Sequence, residues 1–141
     1  MYKRQALDKD GIAYKEYAIA DTNEVQSVTT AAAGECDVLY IPTDNTLASV
    51  TETVYNVVAP AKVPVIAGEE GICNGCGVAT LSISYYDLGY ATGEMAYEIL
   101  AEGADITTMD VRYAPNVTKK YNAKICEELG ITVPDDYVAI Q

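Results

Sequence analysis

The sequence predicts an α/β fold in which a parallel sheet is built from βαβ units. Two hydrophobic patterns alternate along the chain: short apolar runs typical of strands, and longer stretches with apolar residues three or four positions apart, typical of helices. Residues 37–41 and 63–67 are almost continuously apolar, as are strands covered on both faces of a parallel sheet. A helix-length segment separates the two runs, and this spacing indicates a right-handed βαβ crossover.

Two predicted elements precede these strands. Residues 6–12 have the pattern of a last helical turn, a glycine stop and a strand entry, and residues 12–20 are predicted to be that strand. Because the sequence opens on the end of a helix, we expect a partial chain in which residues 1–5 are foreign to the native start. The polar cluster at residues 21–24 predicts a further helix, which ends at Gly34. Its inward face would consist of Val25, Val28 and Ala32.

The next predicted helix lies between the two buried strands and ends near Lys62. Its apolar stripe consists of Leu47, Val50, Val54, Val57 and Val58. Beyond the second strand, residues 73–77 are predicted to form a turn-rich loop, and residues 79–84 a strand with one wetter face. The alternating side chains of that strand are the apolar Ala79, Leu81 and Ile83 and the polar Thr80, Ser82 and Ser84.

Three further elements complete the pattern. The longest predicted helix covers residues 85–102 and stops at Gly103. Its inward side chains would be Leu88, Ala91, Met95 and Ile99. A short strand is predicted around Val111 and Tyr113, followed by a last helix that Gly130 stops. The apolar positions that mark this helix are Tyr121, Ile125 and Leu129.

The composition excludes several classes of function. The 141 residues carry a net charge of −12, which disfavours binding to nucleic acid or to anionic membrane surfaces. The sequence has no His, so it lacks Ser-His and Cys-His nucleophile pairs and the commonest metal ligand. No apolar run approaches the ~18–20 residues of a membrane-spanning helix. These absences exclude several classes of enzyme. Nothing in the sequence singles out a nucleophile, a metal site or a cofactor, and we expect a protein that is not an enzyme.

Polar residues follow both strands of the βαβ unit. Thr43, Asp44 and Asn45 come after the first strand, and Glu69 and Glu70 after the second. Ligands bind beyond the carboxyl ends of strands in open α/β sheets, so these groups are expected to converge there. Carboxylates and an amide without a nearby Lys or Arg suit a ligand with an ammonium group or several hydroxyls. The alternative for Asp44 and Asn45 is that one of them only caps the helix that follows. The alternative for Glu69 and Glu70 is that they are solvated loop charges.

Cys73 and Cys76 are separated by two residues, and three interpretations of the pair remain open. A redox pair requires its first thiol at a helix amino end. A zinc site requires four ligands, for which Cys36 and Cys126 are available but do not have the spacing of a known finger or ribbon. The third interpretation is a pair of loop thiols, joined as a disulfide if the protein is exported. Cys36 and Cys126 are expected to pack as small apolar side chains.

Three segments together resemble one protein family. They are DVLYIPTDNT at residues 37–46, VPVIAGEEG at residues 63–71 and YYDLGYxxGxMA at residues 85–96. These segments are similar to the bacterial ABC-transporter substrate-binding proteins that include tryptophan and tyrosine binders, and the resemblance covers residues 12–131. The family has the type I periplasmic-binding-protein fold. The ligand-sensing cores of lactose-repressor-like transcription regulators share this fold, so such a regulator is the alternative function.

The resemblance implies two α/β lobes that close on a small solute. This chain would be mostly the carboxyl-terminal lobe. Residues 1–84 would form that lobe without its first strand. Residues 85–107 would be a crossover helix belonging to the amino-terminal lobe, and residues 108–141 a return strand and a C-terminal helix.

The resemblance also implies a function. The protein would capture an amino acid, above all an aromatic one, and deliver it to an ABC permease. Thr43, Asp44 and Asn45 would face the ligand, as would Glu69, with Glu70 as its alternative. The family further implies export to the periplasm or cell surface, with a lipid anchor outside this chain as its link to the membrane.

Overall fold

The computed structural model describes residues 2–141, with side chains from Arg4 onward. The helices are α1 (Tyr2–Lys9), α2 (Val25–Glu35), α3 (Asn45–Ala48), α4 (Thr51–Ala61), α5 (Glu70–Cys76), α6 (Tyr85–Leu100) and α7 (Ala123–Leu129). A 3₁₀ turn covers Ile106–Thr108. The strands are β1 (Leu39–Ile41), β2 (Val65–Ala67), β3 (Ala79–Ile83), β4 (Val117–Tyr121) and β5 (Val138–Ala139).

The strands form one mostly parallel sheet in the order β1-β2-β3-β4-β5. The pairs β1/β2, β2/β3 and β4/β5 are parallel, and β3/β4 is antiparallel. In the register of the first pair, Leu39 lies opposite Val65 and Ile41 opposite Ala67. The predicted α/β fold with a parallel βαβ sheet is therefore confirmed.

Two of the predicted strands are wrong. Residues 12–20 form no strand, because they pair with no other strand in the described part of the chain. Their polar side chains bond instead to helices: Lys15 and Tyr17 both contact Glu35 near the end of α2. The segment around residues 111–113 is also not a strand and is largely exposed, and the chain joins the sheet only at β4.

The main core lies on one face of the sheet, between the sheet and helices α2, α4 and α5. Its largest fully buried side chains come from α2, α4, β2 and α5 and are Ile72, Val25, Val54, Val65, Cys73 and Cys76. A second, smaller cluster is formed by Val78, just before β3, and by Ile125 and Cys126 on the buried side of α7. Burial of apolar surface at these positions is the main force that holds the helices on the sheet.

The other face of the sheet is exposed, which contradicts the expectation that β1 and β2 are covered on both faces. Tyr40 is 50% exposed and Ile66 is 38% exposed. The faces of β3 are reversed relative to the prediction: Leu81 is 59% exposed, whereas Thr80 and Ser82 are buried. The polar side chains lie on the inner face, where Ser82 Oγ donates to Glu70, while Thr80 Oγ1 has no hydrogen-bond partner among the described residues.

The helices agree with the sequence pattern apart from their boundaries, except for α5, which lies where the sequence predicted a turn-rich loop. The single helix predicted between β1 and β2 is divided into α3 and α4 at Ser49 and Val50. Helix α4 still buries Val54 and Val58, and it ends at Lys62 in a left-handed conformation with φ 56°. Of the face predicted for α2, the structure fully buries Val25 and Ala32, with Thr29 beside them, whereas Val28 is half-buried.

Helix α6 has no fully buried residue. The stripe predicted to face inward is only half-buried and consists of Leu88, Ala91, Met95 and Ile99. The segment before β4 lies along this helix: Arg112 Nη2 bonds both oxygens of Glu98 at 2.7 and 2.6 Å, and Asn116 donates to Asp87 at 3.1 Å. Helices α1 and α7 are followed by positive-φ glycines, Gly11 and Gly130, as predicted.

Candidate functional site

The candidate site lies where β1 and β2 end, because both strands deliver their carboxyl ends to the same edge of the sheet. The two loops that follow the strands touch directly. Gly68 donates its backbone N–H to the carbonyl of Ile41 at 2.7 Å, and Thr43 Oγ1 donates to the carbonyl of Gly68 at 3.1 Å. The sequence-based expectation that these two polar loops lie side by side agrees with this geometry.

Glycine is required at position 68 for this contact. A Cβ atom there would lie 2.6 Å from the backbone N of Thr43 and 2.8 Å from the carbonyl C of Pro42. Both atoms belong to the backbone, so no side-chain rotation relieves the overlap. The close approach of the two loops therefore depends on the missing side chain at Gly68.

Asp44 and Asn45 lie at the start of α3 and are exposed. Asp44 is its N-cap, since Oδ1 accepts the backbone N–H of Leu47 at 2.9 Å. Thr43 precedes this cap and is also exposed. The capping alternative for Asp44 is thus correct, and one oxygen of this exposed carboxylate is engaged in the cap.

Glu69 has the same role at α5. Its Oε2 accepts the N–H of Gly71 at 2.8 Å and its Oε1 accepts that of Ile72, so both oxygens cap the helix. The alternative of a solvated loop charge is wrong for this residue, which is only half-exposed. No hydrogen bond joins Asp44 or Asn45 to Glu69 in the described chain.

Glu70, the first residue of α5, is bound by two strands. Lys120 Nζ lies 2.8 and 2.7 Å from its Oε1 and Oε2, and Ser82 Oγ donates to Oε2 at 2.7 Å. The ammonium group of Lys120 and the Ser82 hydroxyl lower the pKa of the Glu70 carboxyl. The prediction of a site without a nearby Lys or Arg is therefore wrong at Glu70.

Sequence reasoning missed Lys120 because it lies 50 residues from Glu70. Only the register of the antiparallel β3/β4 pair brings it close, since Lys120 lies opposite Thr80 on the inner face of the sheet. The predicted strand around Val111 and Tyr113 gave no reason to place residue 120 beside β3.

Cys73 and Cys76 lie in helix α5 and not in a loop, so this prediction is wrong. Both thiols are buried and neither is in a disulfide, and Cys76 Sγ donates to the carbonyl of Ile72 at 3.4 Å. Burial raises the pKa of each to about 12. A thiol with so high a pKa is a poor nucleophile, which opposes the redox interpretation. Within residues 2–141 no group of three or more Cys, Asp or Glu side chains has the arrangement of a metal site. Cys126 is likewise buried, as expected, and its Sγ donates to the carbonyl of Val78.

Thiol reactivity tests whether Cys73, Cys76 and Cys126 are buried and unreactive. In the native protein we expect a colorimetric thiol reagent to modify Cys36, which is only half-buried, within minutes, and the other three cysteines much more slowly. All four thiols should react at once in denaturant. Cys36→Ser should abolish the fast phase and leave the slow one. Rapid native modification of Cys73 or Cys76 would show that α5 opens and would reinstate a redox role.

Two clefts beside α6 lie away from the predicted site residues. A cleft of about 440 Å³ lies between α6 and the segment before β4, with Tyr90, Glu94, Arg112 and Tyr113 among its lining residues. It is open to solvent and has the exposed side of α6 as one wall. In the described part of the chain no helix is both long enough and apolar enough to span a membrane.

Comparisons with known proteins agree with this fold. Residues 1–140 match the family described as ABC transporter substrate binding protein. A tyrosine-binding protein of Clostridioides difficile (strain R20291) is 37% identical over 107 residues, which are 72% of this chain and 31% of that protein. The chain thus spans about a third of the length of this curated relative.

Solved structures give the same result. The ligand-free, open structure of a substrate-binding protein with adhesive properties from Clostridium difficile has a TM-score of 0.75 and 34% identity, over 99% of this chain and 48% of that one. A conserved domain protein from Vibrio cholerae has a TM-score of 0.83 and 30% identity, over 98% and 48%.

A third structure carries a ligand. The ABC domain from Streptococcus pneumoniae in complex with L-Trp has a TM-score of 0.80 and 31% identity, over 95% of this chain and 47% of that one. All three matches cover nearly the whole of this chain and about half of the neighbour. With the family match over residues 1–140, they show that this chain belongs to the ABC transporter substrate-binding protein family.

Proposed function

We propose that this chain is the carboxyl-terminal part of a solute-binding protein that captures an aromatic amino acid between two lobes and delivers it to an ABC permease. The observation that carries the proposal is the family match over residues 1–140, joined to relatives that bind tyrosine or tryptophan. In this proposal residues 1–84 belong to one lobe, residues 85–107 cross to the other, and residues 108–141 return.

The exposed side of α6 supports this arrangement. A 16-residue helix without a fully buried side chain has low stability by itself, because most helix stability in proteins comes from packing an apolar face. Tyr86, Tyr90 and Tyr97 are 80, 63 and 62% exposed. Aromatic side chains are large apolar surfaces that favour an interface, so the second lobe would cover this face.

The ligand would sit at the edge formed by the loops after β1 and β2. Thr43, Asp44 and Asn45 are the exposed polar groups there, and we propose that they face the amino acid. Asp44 would attract its ammonium group, whereas Glu69 would act mainly by keeping the second loop in place through the α5 cap. The salt bridge to Lys120 makes Glu70 the weaker candidate for an ammonium ligand.

Closure of two lobes on the solute would carry the signal to the permease. A ligand that contacts both lobes only in the closed form stabilises that form by its differential affinity. We propose that the protein works outside the cytoplasmic membrane, attached by a lipid anchor that lies outside these 141 residues.

Binding by the full-length product of the gene tests the proposal. Calorimetric titration with the twenty amino acids should give saturable binding of tyrosine, tryptophan or phenylalanine, with a raised melting temperature at saturation. If the protein binds no amino acid but binds another kind of solute, the proposed ligand class is wrong. Upstream sequence encoding a helix-turn-helix would instead favour a transcription regulator.

Asp44→Asn separates ligand binding from helix capping. Asparagine caps helices as well as aspartate does, so the melting temperature should remain nearly unchanged. Loss of the negative charge should weaken amino acid binding about 10- to 100-fold, as expected for a hydrogen bond between charged groups. The matched control is Asp37→Asn, an exposed aspartate just before β1, at the opposite end of the strand. Equal affinity of the two variants would remove Asp44 from the site.

A further inference from the structure

Lys120 joins the sheet to the start of α5 through a partly buried network. Its Nζ atom contacts both carboxylate oxygens of Glu70, and the hydroxyl of Ser82 donates to one of them. The side chains of Lys120 and Glu70 are only 28 and 38% exposed. Three donated hydrogen bonds to one carboxylate, from two neighbouring strands, restrict its position more than a single exposed ion pair does.

The neighbouring residue Lys119 provides a contrast on the same strand. Lys119 also pairs with an acid, Asp136, but the two side chains are 48 and 58% exposed. It lies opposite Leu81, on the exposed face of the sheet, whereas Lys120 lies on the inner face. The two lysines therefore have the same charge and the same kind of partner but reach different parts of the molecule.

Glu70 follows directly on residues that belong to the candidate site. The carbonyl of Gly68 accepts a hydrogen bond from the hydroxyl of Thr43, and the carboxylate of Glu69 caps α5. Residues 68–70, the edge segment, are therefore held at one end by Thr43 and at the other by Lys120. The backbone of Gly68 lies so close to that of Thr43 that no Cβ fits between them, so the edge segment packs directly against the loop that carries Asp44.

We propose that Lys120 is a positioning residue for ligand binding, which holds the edge segment in its binding geometry through Glu70. This inference rests on the proposed function, since that function places the ligand at this edge. Lys120 itself touches no ligand in the proposal. Its effect on affinity passes through Glu70 and the backbone of the edge segment.

The experiment compares Lys120→Met, Lys120→Arg and the control Lys119→Met in the full-length protein. Two quantities are measured: amide hydrogen exchange of residues 67–76 without ligand, and the affinity for the amino acid that the wild type binds. Lys120→Met should speed exchange in residues 67–76 and weaken binding about 3- to 30-fold, the range found for residues that act without contacting the ligand. Lys120→Arg should restore both quantities, and Lys119→Met should change neither.

Two results would overturn the inference. Exchange in residues 67–76 that is the same in Lys120→Met and the wild type would show that Lys120 does not hold the edge segment, whether or not any amino acid binds. Faster exchange with unchanged affinity would show a structural role only. Failure of the wild type to bind any amino acid would instead count against the proposed function, and the exchange measurement would still decide whether Lys120 holds the segment.

Discussion

Replacing Ile72 by alanine is expected to lower the free energy of unfolding by about 3–4 kcal/mol, within the range for Ile→Ala in well-packed cores. Ile72 is 0% exposed and is the largest fully buried side chain of the described chain. It joins α5 to a cluster that includes Val54 of α4 and Val65 of β2. The cavity left by the smaller side chain would therefore separate two helices and a strand. Urea denaturation followed by circular dichroism measures the loss.

Ile106→Ala is the matched control, because it makes the same chemical change at a side chain that is 68% exposed. Its effect on the free energy of unfolding should stay within about 0.5 kcal/mol, as for most surface substitutions. Equal losses in the two variants would mean that α5 does not pack in the core. In that event the placement of Glu69 and Glu70 would have to be revised as well.

The hydrophobic pattern predicted β1, β2 and β3, but it missed β4 and β5 and did not predict which faces of the sheet are buried. Residues 37–41 and 63–67 contain β1 and β2, and the helix pattern between them survives as α3 and α4. The alternation in β3 was also recognised, but its apolar side chains lie on the exposed face. Periodicity indicates that a strand has two different faces, whereas the elements packed on each face decide which one is buried.

Contacts between residues far apart in the chain could not be predicted from the sequence. Lys120 meets Glu70 only because β4 returns antiparallel to β3, and nothing local to either residue signals this. By contrast, the contact of Thr43 with Gly68 follows from a simple rule, since neighbouring parallel strands end at one edge. The sequence therefore predicted that the two loops lie side by side, whereas it missed the cation beside Glu70.

The segment around Cys73 shows how tertiary packing overrides local preference. Asn74 and Gly75 favour a turn, yet residues 70–76 form a helix whose buried side chains include Ile72, Cys73 and Cys76. A local signal for this helix does exist in Glu69, an acidic residue whose carboxylate caps the first turn. Gly75 is explained by packing and not by a turn, because a side chain at this position would overlap Thr51 of α4.

Gly75→Ala is expected to destabilise the protein by about 1–3 kcal/mol, the usual cost of overpacking a core. A Cβ at this position would lie 2.2 Å from Oγ1 and 2.4 Å from Cβ of Thr51, the first residue of α4. Since the Cβ of Thr51 is fixed to its backbone, the overlap can be relieved only by moving α5 away from α4. Thermal and urea denaturation measure the loss, which must exceed the gain of up to about 1 kcal/mol that alanine brings to a helix.

Two further variants separate this clash from an effect on helix preference. Gly89→Ala makes the same change in α6, where a Cβ meets nothing within 4 Å, and it should stabilise the protein by about 0.5–1 kcal/mol. Thr51→Gly removes the side chain that Gly75→Ala would strike, so the double variant should recover about 1–2 kcal/mol relative to the sum of the single changes. Additive effects would mean that α4 and α5 do not approach this closely. The close approach bears on the site because α5 begins at Glu70, directly after its cap Glu69 and the Gly68 carbonyl that Thr43 bonds.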